Sequence, residues 1–193
     1  VDLLIVGAGP AGLAAALTAQ RSGLRYSVVE QETIGGSMMH YPRRKLVMTH
    51  PAALPGVGEF PFKQVEKEPL LEFWKKAITD HGIAIQEGAR LDKVERAGGG
   101  FVAHTSAGPI RAARVVLALG RRGTPRKLGV PGEDRPNVYY RLLEPEQYQG
   151  MRVTVVGGGN AAVEAALSLT EVPGTKVTLL HRAAEFTVAR AVL

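Results

Sequence analysis

The fold is decided by the segment Leu3-Leu4-Ile5-Val6-Gly7-Ala8-Gly9-Pro10-Ala11-Gly12, in which a short apolar run passes directly into three spaced glycines. A brief apolar run bounded by glycine favours a buried β-strand. The Ala- and Leu-rich residues of Pro10–Arg21 favour a helix, and the valine-rich Arg25–Glu30 favours a second strand. This order predicts a βαβ unit with a glycine loop between its first strand and its helix.

The three glycines match the pattern G-x-G-x-x-G that binds a dinucleotide. Gly7 permits a tight turn, Gly9 lets the backbone approach a pyrophosphate, and Gly12 allows the helix to pack closely on the strand. Amide groups and the helix dipole then hold the phosphates. About eighteen residues later, Glu30 ends the second strand, where a carboxylate accepts hydrogen bonds from ribose hydroxyls. The competing interpretation is a glycine-rich turn with a surface glutamate.

A second βαβ unit follows near the end of the chain, with strands predicted at Met151–Val156 and Lys176–His181 and a helix at Asn160–Thr170. Its loop, Gly157–Ala162, matches G-x-G-x-x-A, so the sequence predicts a second dinucleotide. Here the second strand ends in a cation, Arg182, which favours the 2′-phosphate of NADPH. A solvated arginine is the alternative, and NADH stays open as the donor.

The residues between the two units predict a loop, a helix and a small sheet. Gln31–Gln64 carries many prolines and glycines and predicts a long functional loop, and Glu68–His81 has the apolar spacing of an amphipathic helix. Arg114–Leu119 predicts a buried parallel strand. Short alternating segments predict an antiparallel meander: Ile83–Gln86, Arg90–Glu95, Phe101–Thr105 and Ile110–Arg111.

Composition excludes several classes of function. The chain has 193 residues, 45% of them apolar, and no cysteine, which excludes a disulfide, a thiolate metal site or a dithiol relay within these residues. Its five histidines are unclustered, so no metal site is predicted. The net charge of +6 is scattered apart from Arg43–Lys45 and Arg121–Lys127, which disfavours nucleic acid. With no apolar run long enough for a membrane span and no signal peptide, we expect a cytoplasmic protein.

These motifs together resemble the two-dinucleotide-binding flavoproteins related to low-molecular-weight thioredoxin reductase. The likeness covers nearly the whole chain, and its order and spacing are highly specific. It rests on the two glycine loops, Glu30, and three further segments: Gly35-Gly36, Val115–Gly120 and the linker Gly129-Val130-Pro131-Gly132-Glu133.

The resemblance implies an α/β fold of three layers, with two Rossmann-like domains and a small antiparallel meander. Residues 1–121 would bind FAD and residues 122–193 would bind NAD(P)H, with a linker near Arg121–Pro125. Both ends look cut, because Val1 stands directly at a strand and Leu193 closely follows one. We therefore expect an excerpt that lacks the C-terminal part of the fold.

The resemblance also implies which residues contact each cofactor. The residues implied for FAD are Gly7, Gly9, Pro10, Ala11, Gly12, Glu30, Gln31, Gly35, Gly36, Ser37, Met38, Gly120 and, at the adenine, Leu91. The residues implied for NADPH are Gly157, Gly159, Asn160, Ala161, Ala162, His181 and Arg182.

Departures from the family limit the substrate. Thioredoxin reductases place a C-x-x-C pair after the linker, where this chain has Tyr139–Leu142. The loop Tyr41–Thr49 is closer to the bacillithiol-disulfide-reductase-like branch, but that branch has a cysteine where this chain has Ala11. The family's H-R-R-x-x-x-R pattern for the 2′-phosphate is also incomplete here, with Ala183 and Thr187 at two of its arginine positions.

The sequence therefore predicts an FAD-dependent oxidoreductase that takes hydride from NAD(P)H, with the flavin carrying the redox chemistry. The electron acceptor stays open between a disulfide, an iron–sulfur protein or fused iron–sulfur domain, and a small molecule. A flavin monooxygenase is a second interpretation, and a dinucleotide-binding or sensing module without turnover is a third. By analogy with the family, a homodimer is expected.

Overall fold

The computed structural model describes residues 1–43, 45–50, 52–60, 62–120 and 125–184. The chain divides into two compact units, Val1–Leu128 and Gly129–Leu193. Most of the predicted linker at Arg121–Pro125 lies outside the described residues, as does Thr187. The domain limits given by the sequence, 1–121 and 122–193, stay a prediction.

The first unit contains fourteen of the helices and strands in the described ranges. In chain order these are β1 Leu3–Val6, α1 Pro10–Arg21, β2 Tyr26–Val29, a 3-10 helix Gly36–His40, β3 Leu46–Met48, β4 Ala52–Leu54, β5 Gly58–Phe60, β6 Gln64–Glu66, α2 Lys67–Asp80, β7 Ile85–Gln86, β8 Leu91–Ala97, β9 Gly100–Thr105, β10 Gly108–Ala112 and β11 Arg114–Leu117.

Three layers form this unit, as the family resemblance implied. A parallel sheet in the order β11-β1-β2-β7 is the middle layer. Because side chains alternate along a strand, Ile5 and Val28 pack on one face against α1, whereas Leu4 and Val29 pack on the other. That other face meets Ala103 and other residues of the antiparallel sheet β10-β9-β8.

The structure corrects the predicted meander, which has one strand fewer than expected. Ile85–Gln86 pairs in parallel with β2 in the main sheet and does not join β8, β9 and β10. Helix α2 lies between β2 and β7 along the chain and provides the crossover that parallel pairing requires. Alternation of apolar residues marks a strand but does not show which sheet it joins, so this part of the prediction was wrong.

The prediction of a long loop is also wrong in detail, since Gln31–Gln64 contains the 3-10 helix, three short strands and the first residue of a fourth. β3 pairs with β6, and β4 pairs with β5, both antiparallel. Phe60 and Val65 from these strands are buried against Trp74 of α2. Long-range burial therefore orders a segment whose prolines and glycines predicted no regular structure.

The second unit contains a 3-10 helix, Pro145–Tyr148, and then β12 Arg152–Val156, α3 Asn160–Thr170 and β13 Lys176–Leu180. β12 and β13 pair in parallel, as predicted for a βαβ unit. Helix α3 has the predicted bounds, and each strand is one residue shorter than predicted at one end. Within the described ranges, no helix is long and apolar enough to cross a membrane.

Truncating Leu13 tests the packing of α1. Leu13 is 1% exposed in the cluster that holds Trp74, whereas Leu24 is 42% exposed. We expect Leu13→Ala to lower the free energy of unfolding by about 2–5 kcal/mol, because it leaves a cavity. Leu24→Ala is the control and is expected to change it by roughly 0.5 kcal/mol or less.

Trp74 is the single tryptophan of the chain, so its fluorescence during a urea titration reports unfolding of this cluster. Equal unfolding midpoints for the two variants would contradict the packing described.

Candidate functional site

Two glycines of the first loop are required by the protein itself. Gly7 has a φ of 107°, and its N–H donates to the Val29 carbonyl at 2.8 Å. A Cβ at Gly7 would collide with the Ala118 carbonyl oxygen, and one at Gly12 would collide with the Gly7 carbonyl oxygen. Any side chain at either position would therefore separate α1 from β1 and β11.

Gly9 differs from both of its neighbours in the motif. Its φ of −81° is open to any residue, and a Cβ built on it meets no protein atom within 4 Å. The position lies directly before α1, whose first-turn amide groups and positive dipole end attract an anion. Nothing in the described protein requires glycine here, so the open space above Gly9 fits a ligand that approaches the backbone.

The carboxylate of Glu30 is part of the same loop, although the sequence left open that it was a surface residue. The residue is 6% exposed, and its Oε2 accepts a hydrogen bond from the Ala8 N–H at 2.8 Å. Its Oε1 accepts from the Glu32 N–H at 3.0 Å. A carboxylate has about four lone-pair sites, so Glu30 keeps acceptor capacity for hydroxyl groups while its orientation is fixed.

A second glycine pair lies against the first loop. The Gly35 N–H donates to the Ala8 carbonyl at 3.0 Å, and a Cβ at Gly35 would stand 2.8 Å from Cδ2 of Leu71. Gly36 has a φ of 54°, and its Cβ position is 3.5 Å from Cα of Gly9. The backbone of the pair therefore runs beside the open space above Gly9.

Ser37 and Gly120, two further residues predicted to contact FAD, lie close to each other. Gly120 has a φ of 68°, and the Ser37 Oγ lies 3.8 Å from its Cβ position. Met38, also predicted to contact the cofactor, buries its side chain in the core cluster with Leu13. Pro10 and Ala11 are exposed at the start of α1.

A surface cavity of about 400 Å³ lies next to Leu91, the residue expected at the adenine. It is lined by Gln31, Glu32, Gly88, Arg90 and Ser106, so it begins immediately after Glu30. Leu91 itself is not in this lining. Its side chain is half-buried against the core cluster that contains Leu4 and Ala103, and its neighbour Arg90 lines the cavity.

The second glycine loop repeats this division between closed and open positions. The Gly157 N–H donates to the Leu180 carbonyl at 2.8 Å, and the Gly157 Cβ position is 3.0 Å from Cβ of Ala162. The imidazole of His181 fills the space where Gly158 would carry a side chain. Gly159 has a φ of −84° and, like Gly9, an open Cβ position.

The three remaining residues expected to bind NADPH lie at the edges of this loop. Asn160 and Ala161 begin α3, and Arg182 is exposed after β13. His181, in contrast, packs on the glycine loop, so its position is that of a residue that shapes the loop.

Sequence reasoning missed three residues that build the first site. Ala8 bonds to both Glu30 and Gly35, and Ala118 closes the space around Gly7. Glu32 is held by Glu30 and in turn contacts His40, 2.5 Å away. Ala8 and Ala118 lay inside segments already singled out, but alanine carries no chemical signal of its own.

Two hydrogen-bonded contacts outside the glycine loops shift the pKa of a side chain. The Arg25 side chain and backbone amide donate to the Asp2 carboxylate and lower its pKa to about 2. The Tyr140 hydroxyl donates to Glu133, which raises the pKa of that tyrosine. In the described ranges, no group of three His, Asp or Glu side chains is placed to hold a metal ion.

Residues 4–191 match the family model described as pyridine nucleotide-disulphide oxidoreductase. The chain belongs to this family. The family and the three-layer α/β fold both confirm the resemblance drawn from the sequence.

Two curated relatives show how the family is represented. The chain is 36% identical to a ferredoxin–NADP reductase of Ignicoccus hospitalis, over 96% of this chain and 57% of the relative. It is 29% identical to the bacilliredoxin reductase Bdr of Bacillus subtilis, over 95% of this chain and 57% of the relative. The chain thus spans somewhat more than half the length of these family members.

Solved structures agree with this fold. The bacillithiol disulfide reductase Bdr from Staphylococcus aureus is similar with a TM-score of 0.87 at 23% identity, over 99% of this chain and 60% of that one. The thioredoxin reductase of T. acidophilum is similar with a TM-score of 0.75 at 26% identity, over 98% of this chain and 59% of that one.

Replacing Glu30 tests the hydrogen bonds that orient its carboxylate. In Glu30→Gln, one side-chain oxygen becomes an amide group that cannot accept from the backbone. We expect the free energy of unfolding to fall by about 1–3 kcal/mol, because a buried N–H loses its partner. Trp74 fluorescence in urea measures this, with the exposed Glu59→Gln as control. Equal losses in both variants would contradict the assigned bonds.

Proposed function

We propose that the loop Gly7–Gly12 binds the pyrophosphate of FAD and that the protein passes hydride from NAD(P)H to this flavin. The observation that carries the proposal is the open Cβ position of Gly9, between two glycines that the protein itself requires. The same arrangement recurs at Gly159 in the second loop. Two such sites in one chain fit a bound flavin nucleotide and a nicotinamide donor.

The first domain, residues 1–121, would hold FAD in the open space above Gly9 and along the residues around it. Glu30 would accept hydrogen bonds from the ribose hydroxyls, because its carboxylate is already fixed by two backbone amides. Gly36, Ser37 and Gly120 would lie against the flavin ring, where glycine backbone permits close approach. The cavity lined by Gln31 and Arg90 would receive the adenine end.

The second domain, residues 122–193, would hold NAD(P)H. The amides of Gly159 and of the first turn of α3 would bind its pyrophosphate, since this helix end is positive. Arg182 would contact the 2′-phosphate of NADPH through a charge-assisted hydrogen bond. The proposal places the protein in the cytoplasm, where its NAD(P)H donor is formed.

The cofactor and the protein would have separate roles in this reaction. Bound FAD would supply the redox chemistry, accepting hydride from the nicotinamide and releasing electrons singly or in pairs. The chain's own residues bind and orient: the glycine loops fix the phosphates, Glu30 fixes the ribose, and the glycine pair fixes the ring. None of the described residues is assigned as a catalytic acid or base.

We propose an iron–sulfur protein as the electron acceptor. A dithiol relay is excluded within these 193 residues, because they contain no cysteine. A ferredoxin–NADP reductase of Ignicoccus hospitalis is 36% identical, which supports an acceptor that takes electrons from flavin directly. Reduction of a disulfide, or oxygen consumption that depends on an organic substrate, would contradict this choice.

An anaerobic absorbance titration of the full-length protein tests the reductive half of the reaction. We expect NADPH to bleach the flavin band near stoichiometry. Arg182→Gln is expected to weaken NADPH about tenfold and to leave NADH unchanged, because it removes a charge-assisted bond to a phosphate that only NADPH carries. Arg152→Gln, an exposed change in β12, is the matched control. A flavin band indifferent to both donors would favour a binding module without turnover.

The two open glycines allow a reciprocal test of the two sites. Gly9→Ala is expected to weaken FAD about tenfold or more, because a methyl group would occupy space that the pyrophosphate needs. Gly159→Ala is expected to weaken NAD(P)H by a similar factor and to leave FAD unchanged. Both backbones accept alanine, so neither variant is expected to disturb the fold. Loss of FAD from both variants, or from neither, would contradict the assignment of the loops.

A further inference from the structure

The 3-10 helix Gly36–His40 carries two of the residues proposed to lie against the flavin ring, Gly36 and Ser37. At its beginning, Gly36 lies beside Gly9, and Ser37 lies beside Gly120. A helix of this kind is short and has weak internal hydrogen bonds. Its position therefore depends on what holds its other end.

Lys67 holds that other end. Its ammonium group donates to the carbonyl oxygens of Met39 at 3.1 Å and of Tyr41 at 2.6 Å. These carbonyls lie where the 3-10 helix stops, and groups at a helix end have no partner within the helix. A cation is also favourable at the negative end of a helix. Lys67 is half-buried, so these bonds are partly shielded from water.

The position of Lys67 within its own helix is electrostatically unfavourable. It is the first residue of α2, where the helix dipole disfavours a cation and favours an acid such as the next residue, Glu68. A residue that breaks a local rule usually serves a longer-range purpose. Here the side chain crosses 26 and 28 residues of sequence to reach the 3-10 helix.

A second contact, between His40 and Glu32, holds the same end of the 3-10 helix. The His40 imidazole and the Glu32 carboxylate are 2.5 Å apart, and the Glu32 N–H donates to Glu30. Hydrogen bonds thus connect Glu30, whose carboxylate is proposed to bind ribose, through Glu32 to His40. His40 lies at the end of the 3-10 helix to which Lys67 also binds. The two ends of the proposed FAD site are joined through this one helix.

We propose that Lys67 is a positioning residue for FAD, an inference that rests on the proposed function. It touches neither cofactor nor substrate in this assignment. By holding the carbonyls of Met39 and Tyr41, it keeps Gly36 and Ser37 against the flavin face before FAD arrives. Without it, binding would have to order this segment, and the cost of ordering lowers affinity.

The test measures FAD binding to full-length apoprotein, by quenching of flavin fluorescence, together with the visible circular dichroism of the bound flavin. We expect Lys67→Met to raise the Kd for FAD about tenfold and to alter the dichroism. Lys67→Arg is expected to stay within about threefold of wild type, because a guanidinium group keeps the positive charge and has N–H donors enough for two carbonyls. Lys63→Met, at an exposed lysine of the same segment, is the control and should change neither readout.

Unfolding of the apoprotein, followed by Trp74 fluorescence, separates positioning from simple stabilisation. A Lys67→Met variant with wild-type Kd and dichroism overturns the inference. So does equal weakening by Lys67→Met and Lys67→Arg together with a lowered unfolding midpoint in both. If Lys67→Met does not fold, Lys67→Gln, which retains an uncharged NH2 donor group, is expected to give an intermediate Kd, and a wild-type Kd there overturns the inference. Failure of the wild-type protein to bind FAD overturns the proposed function itself, and it appears before any variant is compared.

Discussion

The structure depends on the close approach of three backbone segments around Gly7 and Gly12. The carbonyl of Ala118 lies where a side chain on Gly7 would be, and the carbonyl of Gly7 lies where one on Gly12 would be. Helix α1 can therefore begin only three residues after β1 and pack on it without an intervening side chain. This contact aims the amide end of the helix at the space above Gly9. The parallel sheet, the buried Glu30 and the neighbouring glycine pair are all arranged about that point.

The second loop reaches a similar geometry with different residues. Ala162 replaces the third glycine of the first motif, and its methyl group lies 3.0 Å from the Gly157 Cβ position. The larger difference is electrostatic. The first loop ends against the buried carboxylate of Glu30, whereas the second ends near the exposed guanidinium of Arg182. In the proposed assignment both loops bind a pyrophosphate, and the difference in charge between these two side chains would favour a different ribose at each loop.

Sequence alone predicted the parts of the fold that depend on local pattern. The bounds of β1, α1 and α3 agree with the structure, because glycine loops and apolar spacing mark the junctions of a βαβ unit. The strand Ile85–Gln86 was placed in the wrong sheet, because its partner β2 lies far away along the chain.

The candidate site shows the same limit. Gly7, Gly9 and Gly12 were found from their spacing, since each fills a fixed position in the motif. Lys67 was missed because it acts on carbonyl groups, which are present at every residue and carry no sequence signal. The structure also separates two kinds of glycine that look alike in sequence. At Gly7, Gly12 and Gly157 a side chain would meet the protein, so the fold accounts for them; at Gly9 and Gly159 it would meet open space. Since the folded chain has no need of glycine at these last two positions, their spacing argues for a ligand, independently of any similarity to known proteins.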